Sequence, residues 1–230
     1  ATATMDGNTV SVLPGKGYHR ETPYDIEPDW SAASYWYALV ALSPDAETSV
    51  ELPGLSPESI QGDRVCATLF STLGVETCPT TDGGLHLRKR QGYQRPSAMQ
   101  HYAMADCPDL AQGLVVAAAL LGIPFACCGL ESLKIKETDR MEALLREMKK
   151  LGRHLHAPDD GHLTFMPTDS EKAAEDMVPP CIETYDDHRM AMAFAPAAWC
   201  FPGLQIAHPE VVSKSYPEFW EHLACLTSAS

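Results

Sequence analysis

Residues 134–140 read KIKETDR, three cations and two carboxylates within seven positions. Beyond them Met141, Leu144, Leu145, Met148 and Leu151 recur at steps of three and four before Gly152. That spacing predicts an amphipathic helix over residues 137–151. The charged cluster then lies where a loop or strand runs into a helix, and there unpaired backbone N–H groups and the helix dipole favour anions. Lys136 and Arg140, four apart, can share one face of the first turn and hold two anionic groups. Glu137 lies between them, placed for proton transfer on a bound substrate. Taken alone, such a run reads more simply as a solvated helix start with surface salt bridges.

Other clusters change the balance. YDDHR at 185–189 opens a predicted helix over 187–199 that is otherwise Met, Ala and Phe, bent or shortened at Pro196. His188 and Arg189 at the head of so apolar a helix are hard to explain as a solvated face, and clustered ionisable groups mark sites. Asp109 precedes a nearly all-apolar helix over 109–121. Capping is its ordinary role, but a carboxylate there can also orient a hydroxyl or accept its proton. Asp29-Trp30-Ser31 begins a further helix, and Ser213-Lys214-Ser215 precedes the last one.

The elements that would carry these clusters recur in order. A helix over 32–42, capped by Asp29 or Ser31, is followed by a strand over 48–52, a helix over 63–73 ended by Gly74, and a hairpin of 75–78 with 85–88 around Asp82-Gly83-Gly84. A helix over 109–121, a strand over 124–128, the helix over 137–151 and a hairpin of 153–156 with 162–165 repeat that order. A truncated third pass has the helix over 187–199, a strand over 204–207 and a helix over 216–226. One helix of each pair is apolar almost all round and belongs in the middle, with sheets outside. The expectation is an inside-out α/β domain with pseudo-threefold repeats, not a doubly wound sheet; no GxGxxG or GxxxxGK[ST] fingerprint is present. Residues 1–26 look different: a strand over 9–13 and a short one over 24–27, separated by prolines and glycines.

The 230 residues are 45% hydrophobic and 21% charged, ordinary for a globular chain. No apolar run approaches the length of about 20 that a membrane span needs, and the first residues lack signal-peptide character. The eight cysteines show no CxxC or metal-finger spacing, so reduced thiols in a cytoplasmic protein are the simplest account, with Cys127-Cys128 in the core. A net charge of −14 argues against nucleic acid as partner. Small anionic substrates then need local cations, and seven of the 17 Lys and Arg lie within residues 134–153. Arg88-Lys89-Arg90 is expected at a solvated hairpin edge.

KETDR at 136–140 and YDDHRMAMAF at 185–194 resemble the second half of the 5-enolpyruvylshikimate-3-phosphate (EPSP) synthase family, as do DWSAASYW at 29–36, CPDLAQ at 107–112 and SKSYPEFW at 213–220, all in the family's order. The resemblance implies the enolpyruvyl transferase fold. It also implies transfer of the enolpyruvyl group of phosphoenolpyruvate to the 5-hydroxyl of shikimate 3-phosphate by addition and elimination, with no metal or organic cofactor. Carried over by position, Asp109 would be the general base and Glu137 the carboxylate serving the methylene carbon. Lys136 would contact shikimate 3-phosphate. Arg140, Arg189 and Lys214 would clamp phosphoenolpyruvate, with His188 beside them. Ser132 stands where the family commonly has Asn. The chemistry agrees: two phosphorylated, carboxylated substrates need convergent cations, and protonating an alkene while deprotonating a hydroxyl needs an acid and a base.

The family has two such domains with the site between them, and this chain carries one. Residues 1–26 are expected to be the end of the other domain plus the crossover, and 27–230 the second domain. The chain is expected to fold but not turn over without its complementary N-terminal domain. A binding domain without turnover, or the related UDP-N-acetylglucosamine enolpyruvyl transferase, is the alternative; KETDR with DHRMAM favours the shikimate enzyme.

Overall fold

The computed structural model describes residues 2–15, 26–159, 161–168 and 178–227. An N-terminal hairpin pairs β1 (Thr2–Asp6) antiparallel with β2 (Thr9–Leu13), and every residue of both strands is exposed. Three units follow. The first is α1 (Trp30–Leu42), β3 (Ser49–Leu52), α2 (Cys66–Ser71), β4 (Val75–Pro79) and β5 (Leu85–Lys89). The second is β6 (Gln100–Ala103), α3 (Ala111–Leu120), β7 (Phe125–Cys128), α4 (Arg140–Lys150), β8 (Leu155–His156) and β9 (Leu163–Phe165). The third is β10 (Cys181–Ile182), α5 (His188–Phe194), β11 (Gln205–Ile206) and α6 (Phe219–Thr227).

One helix of each unit is buried. Apart from Ser31 and Ala32, all of α1 is inaccessible; so are all of α3 except Leu120 and all of α5 except Arg189. These three helices touch one another, as sequences apolar on every side must. The sheets lie outside them, each unit supplying its own: β3-β5-β4, β6-β7-β9-β8 and β10-β11. Their strands alternate buried and exposed positions, as in β7 and β9, so one face of each sheet meets the helices. The pairs β6-β7 and β10-β11 are parallel, and their crossovers are α3 and α5. The inside-out α/β architecture expected from the sequence is therefore the observed one.

Several boundaries differ for local reasons. Residues 137–139 are not helical: α4 starts at Arg140, because Asp139 is its N-cap and accepts the Glu142 N–H at 3.0 Å. The last helix begins at Phe219, not 216, since Pro217 disfavours helical geometry at Tyr216. Of the predicted strand over 24–27, Tyr24 and Asp25 lie outside the described residues, and Ile26 and Glu27 have no regular structure. β5 is the central strand of its sheet, so Arg88-Lys89-Arg90 is not at an edge: Arg88 lies outside, 2.8 Å from Glu76, while Lys89 reaches back to the Ser43 carbonyl that ends α1. Of the adjacent thiols, Cys127 is in the core but Cys128 is exposed, as strand alternation demands.

Candidate active site

The starts of the three buried helices converge. Asp29 caps α1 by accepting the Ser31 N–H at 2.8 Å, and Asp187 caps α5 by accepting the Arg189 N–H at 2.8 Å. Asp109 lies in the 3-10 turn Pro108–Leu110 that leads into α3. Lys136, in extended backbone, and Glu137 follow the 3-10 turn Glu131–Ile135 in a bend, and Arg140 is the first residue of α4. Lys214 closes the 3-10 segment Pro209–Lys214.

Arg140 is the hub. Its side chain is 1% exposed and meets Asp187, which is wholly buried, through Nε–Oδ2 at 2.6 Å and Nη2–Oδ1 at 3.3 Å. Nη1 donates to Asp109 Oδ1 at 3.0 Å and Nη2 to Glu137 Oε2 at 2.6 Å. Four donor contacts thus engage most of the five guanidinium N–H groups. The more exposed cations ring this hub. Lys136 Nζ is 3.4 Å from Asp109 Oδ1, Arg189 Nη2 is 3.0 Å from Asp109 Oδ2, and Lys214 Nζ is 2.7 Å from Glu137 Oε1.

The sharing fixes the charge states. Burial alone would raise the Asp109 carboxyl, but Arg189, Lys136 and Arg140 outweigh it and hold it below its usual range. The hydrogen bond from Lys214 takes the lead in holding Glu137 down to about 2, so it is ionised at neutral pH. Burial pushes His188 below its ordinary value, and its Nδ1 is buried without a hydrogen bond, 3.9 Å from Asp187 Oδ1. A neutral imidazole beside ionised carboxylates and accessible cations can bind polyanions, accept a proton at Asp109, and return one through Glu137 once Lys214 is drawn away.

Asp109, Lys136, Glu137, Arg140, Arg189 and Lys214 therefore meet in one network, with His188 beside it. Ser132 is half-buried in the turn before Lys136 and takes no part in those hydrogen bonds. Three participants escape sequence reasoning. Asp187 is the buried partner of Arg140; its place just before an apolar helix is an N-cap signal that could have found it. Tyr35, in the middle of α1, accepts from Arg189 Nη1 at 3.4 Å, and burial pushes its phenol up to about 12. Asp63 accepts from the Ser31 hydroxyl, and burial raises its carboxyl above the usual range. No spacing links Asp63 to the other residues.

The sequence model for EPSP synthase (3-phosphoshikimate 1-carboxyvinyltransferase) matches residues 2–223. A 3-phosphoshikimate 1-carboxyvinyltransferase of Bacteroides fragilis is 52% identical over 223 residues, 97% of this chain and 51% of that protein. One from Methanospirillum hungatei is 31% identical over 219 residues, 95% of this chain and 47% of that protein. The solved EPSP synthase of Acinetobacter baumannii superimposes with a TM-score of 0.69 at 22% identity, over 98% of this chain and 51% of that one, which is a likeness of fold. The chain spans about half the length of these relatives. With a match running through nearly all of it, the chain belongs to the EPSP synthase family.

Proposed function

We propose that this domain forms one wall of an enolpyruvyl transfer site, acting on phosphoenolpyruvate and shikimate 3-phosphate in the cytoplasm. The other wall comes from the half of the relatives' length that this chain does not span. The observation that carries the reading is the convergence of Lys136, Arg140, Arg189 and Lys214 on Asp109 and Glu137 at the starts of the buried helices. The exposed hairpin β1–β2, with Met5, Val10, Val12 and Leu13 uncovered, fits the end of the companion domain, with the boundary near residue 26. All eight cysteines are unpaired, in keeping with a reducing compartment.

In this reading Lys136 holds shikimate 3-phosphate, with Ser132 on the approach to it. Arg189 and Lys214 hold phosphoenolpyruvate with His188 beside them, and Arg140, its side chain 1% exposed, acts on the same ligand by keeping Asp109 and Glu137 in place. Asp109 accepts the proton of the attacking hydroxyl as the C–O bond forms. Glu137 must be protonated to deliver a proton to the methylene carbon. When the substrate's anionic groups engage Lys214, the contact that keeps Glu137 ionised is weakened and its carboxyl rises toward a useful range. In the elimination Glu137, left ionised by its donation, takes a proton back from the methyl carbon as the double bond re-forms and the C–O bond to phosphate breaks; Asp109 gives its proton to the departing phosphate, whose charge the cations stabilise.

The test is phosphate release from the two substrates by this chain combined with its complementary half. Turnover is expected from the combination and not from this chain alone, and Asp109→Asn should abolish turnover while leaving substrate binding measurable by calorimetry. Absence of phosphate release from the combination, or unchanged turnover in Asp109→Asn, refutes the assignment. Binding of both substrates without release by the combination marks a binding domain instead.

A further inference from the structure

The segment between β10 and α5 carries the sharpest backbone strain near the site. Tyr185 and Asp186 adopt left-handed conformations, with φ of 54° and 55°. For residues other than glycine such conformations are disfavoured and persist only where the surroundings impose them. The turn they form stands immediately before Asp187, His188 and Arg189. A relaxed turn would re-aim all three.

What imposes it is α4. Lys150 Nζ donates to the Cys181 carbonyl at 2.9 Å. Glu147 accepts the Glu183 N–H at 3.0 Å and the Tyr185 hydroxyl at 2.7 Å. Arg140 holds the Asp187 carboxylate. The helix therefore holds this segment at four points, through the backbone at positions 181 and 183 and through the side chains at 185 and 187. Glu147 is the centre of this grip. Its side chain is fully buried, one oxygen accepting Tyr185 and the other accepting Glu183 and the Lys150 ammonium, 2.7 Å away. A buried carboxylate facing three donors, two turns along from Arg140 and remote from the polar cluster, is not explained by the helix's own needs.

We propose that Glu147 is a positioning residue for the reaction: by tethering Tyr185 it holds the left-handed turn that presents His188 and Arg189 to phosphoenolpyruvate. The inference rests on the functional reading above for its ligand, but the geometry it describes does not depend on that reading. Glu147→Gln keeps one oxygen for the Glu183 N–H but puts an NH2 against Tyr185, whose hydroxyl must then accept, so the charge-assisted tether is replaced by a weaker neutral one. Asp186, which is exposed and makes none of the network's contacts, offers the complementary change. Asp186→Gly removes the cost of the left-handed conformation.

In the chain joined to its complementary half, E147Q should raise the KM for phosphoenolpyruvate about tenfold. The KM for shikimate 3-phosphate should move by less than about threefold, because Lys136 lies outside the tether. E147Q/D186G should recover most of that loss. On this chain alone, the His188 ring resonance in proton NMR should shift in E147Q and return toward its original position in E147Q/D186G. That second measurement separates the two ideas: no phosphate release from the unmutated combination would remove the functional reading, while the resonance still decides the role of Glu147. If E147Q does not fold, Tyr185→Phe deletes only the hydroxyl tether and should move the same resonance in the same direction, by less. An unmoved resonance in E147Q, or in Tyr185→Phe where E147Q does not fold, overturns the proposal. So does a loss that affects both substrates equally and is not relieved by D186G.

Discussion

Replacing Arg140 by Met tests the centre of the network. Met keeps an unbranched stem of similar length but removes the guanidinium. Asp187, fully buried, then loses contacts at 2.6 and 3.3 Å and keeps the α5 N-cap bond from Arg189 N–H. Asp109 and Glu137 lose contacts at 3.0 and 2.6 Å but are 28% exposed and keep other cations, so water and Lys136, Arg189 and Lys214 compensate them. Most of the penalty therefore falls on Asp187. Breaking a buried pair by removing one partner costs about 3–5 kcal/mol. With a urea m-value of about 2–3 kcal/mol/M, the unfolding midpoint should fall by about 1–2 M. Arg146→Met is the control: its pair with Glu142 is 61% and 50% exposed and worth about 0.3–0.5 kcal/mol, a shift too small to resolve well. The double variant Arg140→Met/Asp187→Asn removes both charges and should recover about half of the loss, because the uncompensated carboxylate is gone. Equal midpoints for Arg140→Met and Arg146→Met, or strictly additive effects of the two changes at Arg140 and Asp187, would refute the claim that this buried pair organises the site.

Acid should destabilise the domain through Glu137: its folded value of about 2 lies below the 4.5 expected when unfolded, so its contribution is complete above about pH 5 and is lost as pH falls toward 2. Lys214→Met, which removes the leading cause, should flatten that part of the Tm-versus-pH curve; an unchanged acid limb argues against it. His188 should titrate below 6.5 in proton NMR because burial disfavours its cation, and a midpoint above that value would contradict the buried neutral ring. Gly129→Ala should destabilise by about 3 kcal/mol, since Gly129 has a φ of 78° and an added Cβ would lie 2.7 Å from the Ala105 backbone nitrogen where the chain leaving β6 toward Asp109 passes β7. A loss below about 1 kcal/mol in thermal unfolding would show that the two loops can move apart.

The parts of this domain legible in its sequence are those where local and global demands coincide. α1, α3 and α5 could be placed in the centre because their residues leave no face for water, and no outer position tolerates that. YDDHR stood out because charge is rare at the head of an apolar helix, and KETDR, which opens an amphipathic one, gained its meaning only beside it. What could not be read is which charge goes inside. Arg140 falls in a run of ionic residues whose statistics favour exposure, yet it is the most deeply buried of them, and its neighbour Glu137 remains reachable. The decision is made by residues 31 and 47 positions away, Asp109 and Asp187, which meet it only because separate units bring the starts of their buried helices to one place. The same holds for Tyr35 and Glu147, each an ordinary helix residue until another unit supplies its partner, while Asp63 meets Ser31 of its own unit across 32 positions. β5 was misplaced for a related reason. Three cations in a row suggest an edge, but β3 pairs on its far side, and Lys89 is used to cap α1. Long-range pairing leaves no local period to detect, so a single chain shows where ionisable groups gather and not how they share one another's charge. That sharing sets the properties the proposed chemistry needs, an ionised Glu137 that substrate can release and an Asp109 kept ready to accept a proton.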